Sequence, residues 1–241
     1  MMAAVLQALW APLLPSPLLC LAATLIAYWL GEIVQRRLKS AAWANPVLIA
    51  IALLATPLLA TGTPYETYFA GAQFIHFLLG PATVALAVPL ARNLGVVRRS
   101  LHGTGLALLA GSVTAAASGV AVVWLLGGSR SAAFSMAPKS VTTPIAMAVA
   151  QQVGGIPALT AALAIAGGIL AAIMGRTLLR ALRIEDWRAH GLAAGVAGSG
   201  VAAAQVAPQN GLAAAFAALG IGLNGVLTAL IVPLLALLWP A

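Results

Sequence analysis

Apolar residues run almost unbroken along this chain, and the few polar positions fall in short joints between the runs. The runs lie at about 17–34, 46–60, 68–91, 101–126, 132–153, 156–179, 191–206 and 212–238. Crossing the hydrocarbon of a bilayer takes roughly 20 apolar residues in a helix, and most of the runs approach that length. The pattern predicts an all-α, polytopic membrane protein of seven to eight segments that fills residues 1–241 as a single membrane domain. The stretch from Met1 to Leu14 has neither a basic flank nor a small-residue cleavage site, so the first run is expected to stay as an anchor.

Two runs carry their own interruptions. In SAAFSMAPKSVTTPIAMAVAQQVGG, Pro138 and Pro144 cannot both sit inside one regular helix, because each removes a backbone hydrogen bond and clashes with the carbonyl four residues back. The spacing predicts a short helix with Thr143 as N-cap and Pro144 at the first helical position, running to Gln151 or Gln152 and stopping at Gly154-Gly155. Such a piece rises about 15 Å, half the hydrocarbon thickness. A weaker echo lies upstream, where Gly80-Pro81 interrupts the run from Tyr68; aligning Pro81 with Pro138 places Thr83 opposite Ser140, Val84 opposite Val141 and Ala91 opposite Ala148. Paired, proline-interrupted apolar segments point to the binding site of a transporter built from internal repeats.

Composition agrees: 62% of the 241 residues are apolar and 7% charged, against about 25% charged in a soluble domain. The net charge of +8 on its own would suit nucleic acid, but the cations read as membrane topology instead, because they come in small clusters between apolar runs, at Arg36, Arg37 and Lys39, at Arg92, Arg98 and Arg99, and at Arg176, Arg180, Arg183 and Arg188. Clusters of that kind mark cytoplasmic loops. With the first two clusters cytoplasmic, Arg130 emerges outside. An odd number of crossings must then separate it from the third cluster, yet two runs intervene. One of them has to enter and leave on the same side, and 132–153, with its internal breaks, is the better candidate. The lone Cys20 makes no intrachain disulfide and reads as a small packing residue.

Lys139 is the most informative side chain. A lysine at membrane depth either snorkels to an interface or lines a wet cavity with a function. Ser140, Thr142 and Thr143 add hydroxyls, and the half-helix behind them adds unpaired amides and a positive dipole end. Together they describe a site for a carboxylate; the competing reading is a loop-boundary lysine whose neighbours satisfy backbone carbonyls. Gln151 and Gln152 either bind solute or tie helices together. Glu66 is expected at an interface, and His76, nearer the Gly80-Pro81 break, is a candidate for proton exchange. In the small-residue stretch Gly191 to Gly211 the glycines favour tight helix packing, and the alternative is unwound backbone around Ser199 held against a ligand. No histidine spacing suits a metal, the acids do not cluster, and no nucleophile-elbow or phosphate-loop pattern occurs, so neither an enzyme nor a cofactor is expected.

The residues Leu78-Leu79-Gly80-Pro81-Ala82-Thr83, and above all Pro138-Lys139-Ser140-Val141-Thr142-Thr143-Pro144-Ile145-Ala146-Met147-Ala148 with Gly154-Gly155-Ile156-Pro157, resemble the LrgB/CidB family along nearly the whole chain. That resemblance implies an antiholin-like or holin-like regulator of murein hydrolase activity and lysis, acting with a smaller LrgA/CidA-type membrane partner. It also implies translocation of short carboxylates: glycolate and glycerate, as in the family's chloroplast members, and pyruvate and related acids such as lactate, to which its bacterial members are linked. The family's second motif is altered: His190 stands in place of its arginine, Ser199 in place of its histidine, and Ala202-Ala203 in place of a glycine-threonine pair. The expectation is therefore a multi-pass inner-membrane carboxylate transporter or transporter subunit, a homo-oligomer with no nucleic-acid partner, its solute held by Pro138, Lys139, Ser140, Thr142, Thr143 and Pro144. Pro81, Thr83, Gln151 and Ser199 complete the expected site, and His76 is its expected proton-coupling group. The alternative is the antiholin-like regulator.

Overall fold

A computed structural model describes residues 16–38, 44–78, 81, 84–85 and 87–238. The chain divides into two compact units, Met1–Ala85 and Leu86–Ala241.

The first unit holds α1 (Pro17–Arg37), α2 (Pro46–Thr61) and α3 (Tyr65–Phe77). Asn45, buried, caps α2 by accepting from the Val47 amide at 2.8 Å, and Gly62 ends it in the left-handed conformation that glycine adopts without steric cost. Gly31 lets α1 meet the start of α2, because a methyl there would lie 2.6 Å from the Pro46 carbonyl oxygen. The Thr24 and Tyr68 hydroxyls, 2.6 Å apart, join α1 to α3. A 290 Å³ groove between these helices is lined by apolar groups such as Leu19, Leu54 and Leu58 and offers no charge to a solute.

The second unit contains α4 (Ala87–Arg92), α5 (Leu94–Arg99), α6 (Leu101–Leu125), α7 (Arg130–Met136), α8 (Thr143–Gln152), α9 (Pro157–Ala181), α10 (Trp187–Val206) and α11 (Gly211–Leu238). Among the described residues four helices are long and apolar enough to span a membrane, namely α1, α6, α9 and α11. Their outward leucines and valines, such as Leu106 at 71% and Val226 at 59% exposure, suit lipid rather than water. The eight apolar runs therefore do not translate into as many continuous spans. The run at 132–153 is split into α7 and α8, and that at 191–206 is broken inside α10.

The split run folds back on itself. After α7 the chain turns through 137–142, and α8 returns until Gly155 lies against the backbone of Phe134 and Ser135. The Ile156 amide donates to Ser135 Oγ at 2.7 Å, and Thr160 Oγ1 to the Ser135 carbonyl at 3.0 Å. Charge counting assigned 132–153 a same-side entry and exit, and over these residues the chain folds back on itself. Local chemistry stops α8 where expected: Gly154, at φ 81°, lets the Gly155 amide reach back to the Ala150 carbonyl at 2.8 Å. Its start is one residue earlier than expected. Thr142 is the cap, because its carbonyl accepts the first helical bond, from Ala146 at 3.0 Å; Pro144 is then the second helical residue, where its missing N–H still costs nothing.

α10 is a second hairpin. Ser199, at φ 47° and ψ −138°, breaks it, and the halves 187–198 and 200–206 cannot share an axis. The first half runs alongside the start of α11 in the same direction: Gly191 packs on Ala213, Gly195 on Ala217 and Gly220, and the Val196 carbonyl meets Asn224. Only a chain that returns after Ser199 can begin α11 level with Gly191. Methyl groups at Gly191 and Gly195 would strike the backbone of α11, so glycine is required there for the helices to touch. The small-residue stretch thus serves tight packing and also supplies a backbone break.

α6 and α11 run parallel, with Leu108 sharing a cluster with Phe216, Ser112 bonded to Asn224, and Val120 packed with Val232. Arg130 reaches the Ala236 carbonyl at 3.3 Å, which marks one end of the unit, and Arg188 reaches Ser100 Oγ at 3.3 Å, which marks the other. The first hairpin and α9 therefore start at the Arg130 end, and the second hairpin and α11 at the Arg188 end. Each hairpin is followed by a long helix, and the two pairs point in opposite directions.

Candidate functional site where two hairpin tips meet

Both tips reach the middle of the second unit. The first, 137–142, carries Lys139 and Ser140; the second is centred on Gly198, Ser199 and Gly200. They rest against adjacent glycines of α9, where a methyl on Gly167 would lie 4.0 Å from the Lys139 carbonyl oxygen and one on Gly168 would lie 3.2 Å from that of Gly198. Asn224 of α11, 1% exposed, links them: its side-chain amide donates to the Ser140 carbonyl at 3.3 Å and to that of Val196 at 3.0 Å.

Lys139 is half-buried, and its ammonium donates to the Ala115 carbonyl of α6 at 3.1 Å, in a notch opened by Gly119. It follows closely on the C-terminal end of α7, whose carbonyls favour a cation. An ammonium has three donors, and one is used here. Just beyond it α8 begins with no side-chain cap. Pro144 has no amide, and the Thr143 and Ile145 amides fall in the first turn, which has no intrahelical acceptors. A cation, two free amides and the hydroxyls of Thr142 and Thr143, themselves half-buried, are thus grouped in a few residues of chain. That set can hold one carboxylate or a similar small anion.

Of the residues expected at the site, Pro138, Lys139, Ser140, Thr142 and Thr143 lie together at the first tip, and Pro144 follows them with its ring exposed. Ser199 lies at the second tip, 7% exposed, with its hydroxyl making no hydrogen bond. Gln151 does not join them. It is exposed at the far end of α8, eight residues from Thr143 and so about 12 Å away, because the hairpin carries that end back toward its entrance. Thr83 lies outside the described residues; Pro81 is helical and exposed in the first unit, and His76 belongs to α3, with its side chain outside the described set. Asn224 and its partners Ser112 and Thr228 were not singled out from the sequence. The available signal was a lone amide, with a threonine one turn on, inside an otherwise apolar 28-residue helix.

With its fold and site laid out, the chain can be placed among known proteins: it belongs to the LrgB-like family, whose model matches residues 24–238. It is similar to an uncharacterized protein of Haemophilus influenzae, 30% identical across 87% of this chain and 90% of that one. It is also similar to the antiholin-like protein LrgB of Bacillus mycoides and to that of Bacillus cereus, each 28% identical across 91% of this chain and 95% of the relative. No solved structure matches it.

Proposed function

We propose that this chain is a multi-pass carrier of the cell membrane for small organic monocarboxylates such as glycolate, glycerate, lactate or pyruvate. The observation that carries the reading is the half-buried Lys139 ammonium at a helix break, beside the uncapped start of α8. Oppositely directed, discontinuous segments meeting at mid-depth are how secondary transporters present helix ends to a solute. Arg98, Arg99, Arg180, Arg183 and Arg188 gather toward one end of the second unit and Arg130 lies at the other, which orients the Arg188 end to the cytoplasm. No residue is assigned a catalytic role. In proteoliposomes, Lys139→Ala should reduce glycolate or lactate uptake at least tenfold and Thr143→Val several-fold; undiminished uptake in both variants removes this site.

The relatives' names favour a second reading over the first: the Bacillus proteins are called antiholin-like, and none of those names mentions a solute. In that reading the chain regulates murein hydrolase activity and lysis with a small LrgA/CidA-type membrane partner. A stoichiometric small partner in pull-downs, with flat uptake of every carboxylate tried, selects it. Robust transport by the purified homo-oligomer alone selects the carrier.

A further inference from the structure

We propose that the solute site is shared by both hairpin tips, and that Asn224 is the positioning residue that holds them in register. The inference rests on the carrier reading and extends it to a residue and a tip that the anion-binding motif does not contain. Four hydrogen-bonding capacities define a side-chain amide, and Asn224 uses them all: two donors to the Ser140 and Val196 carbonyls, and an oxygen that accepts from Ser112 Oγ at 2.6 Å and faces Thr228 Oγ1 at 3.5 Å. The two carbonyls can only accept, so they fix which way the amide points, and Ser112 Oγ, which also faces the Leu108 carbonyl at 2.8 Å, braces the amide oxygen. One target carbonyl adjoins Lys139. The other belongs to Val196, whose helical partner, the Gly200 amide, lies past the break at Ser199. Neither tip can shift without stranding a buried donor, which costs far more than an amide left in water.

The second tip also carries what a ligand would complete. Ser199 Oγ is buried without a partner, and such an orphan is rare enough to require a reason. An anion held by Lys139 and the α8 amides, between tips that both rest on Gly167-Gly168, supplies the missing acceptor. Asn224 touches no solute in this arrangement; it sets the distance between the two half-sites.

The experiment uses the full chain with Cys20→Ser and a reporter thiol at Val141→Cys, which is 3% exposed on the first tip. Asn224→Leu should speed maleimide labelling of that thiol at least fivefold and raise the half-saturation concentration for glycolate uptake at least tenfold, while the turnover rate changes less. Ser112→Ala, which removes the brace on the amide oxygen, should move both readouts the same way by about threefold, and it carries the test if Asn224→Leu fails to fold. Labelling unchanged in the folded variants overturns the proposal. Labelling raised with half-saturation unchanged overturns it too, because the tips would be coupled without sharing the solute. A parent protein that carries no glycolate refutes the carrier reading and the shared solute site with it, whereas the labelling arm still decides whether Asn224 couples the tips.

Discussion

Replacing Ser199 with glycine should make this protein more stable, although it deletes a side chain. At φ 47° and ψ −138° the residue occupies a backbone region that is nearly glycine-only, and holding another residue there costs about 1–3 kcal/mol. Its buried hydroxyl has no partner, a penalty of about 1–3 kcal/mol more. Glycine relieves both, and gives back about 0.5–1 kcal/mol through the greater freedom of the unfolded chain. The two penalties overlap, since the backbone also directs the hydroxyl, so the balance is about 2 kcal/mol. For a chain of this length that raises the melting temperature by about 4–8 °C. The assay is thermal unfolding in detergent without added carboxylate. Ser199→Ala should recover only the hydroxyl part, about half the gain. Gly198→Ala, one residue away, should do the reverse, because its methyl would lie 2.5 Å from the Ala202 Cβ and 2.7 Å from that of Ala171. A melting temperature for Ser199→Gly equal to or below that of the parent refutes the assignment of strain and orphaned polarity to this position.

Gly191→Ala drives a methyl into the Ala213 carbonyl, and backbone cannot swing aside, so a loss of about 2 kcal/mol or more is expected, whereas Gly175→Ala, which meets nothing, should be neutral or slightly stabilising; the two melting curves decide. The Arg188 guanidinium hydrogen-bonds Asp186 at the cap of α10 and holds that carboxyl below the usual carboxylate range. A lowered folded value means that the contribution is present above the unfolded value, near 3.8, and is lost as pH falls through the lowered one. Asp186→Asn, which still caps, should therefore match the parent's stability once the pH lies below the lowered value and differ by little at pH 7, because the pair is open to water; a large deficit at neutral pH would contradict this. In the Cys20→Ser background, Arg130→Cys and Glu185→Cys should react with an impermeant thiol reagent from opposite faces of the membrane. Labelling of both from one face would undo the orientation of the hairpins.

The positions of the breaks were legible in the residues because they are local events. Proline at 138 and 144, and glycine at 154, dictate backbone geometry within a turn or two, so the split of 132–153 and the end of α8 followed from spacing alone, to within a residue. Charge clustering assigned that segment a return, because sidedness depends on counting rather than on contacts, and the chain does fold back there. The break at Ser199 was only half visible: Gly198 and Gly200 permit it, but the same residues permit close packing, and sequence cannot say which use prevails.

What the sequence determined by itself is a lipid-embedded helical protein with a lysine beside a prematurely started helix. Tertiary structure alone decided which parts of the chain meet. Asn224 lies 84 residues from Ser140 and 28 from Val196, and no periodicity links them. In lipid the apolar surfaces of the helices are interchangeable, so partners are chosen by the fit of small residues and by the few polar groups that must find hydrogen bonds. Those choices are settled over the whole fold at once, and they bring the two hairpin tips to one place.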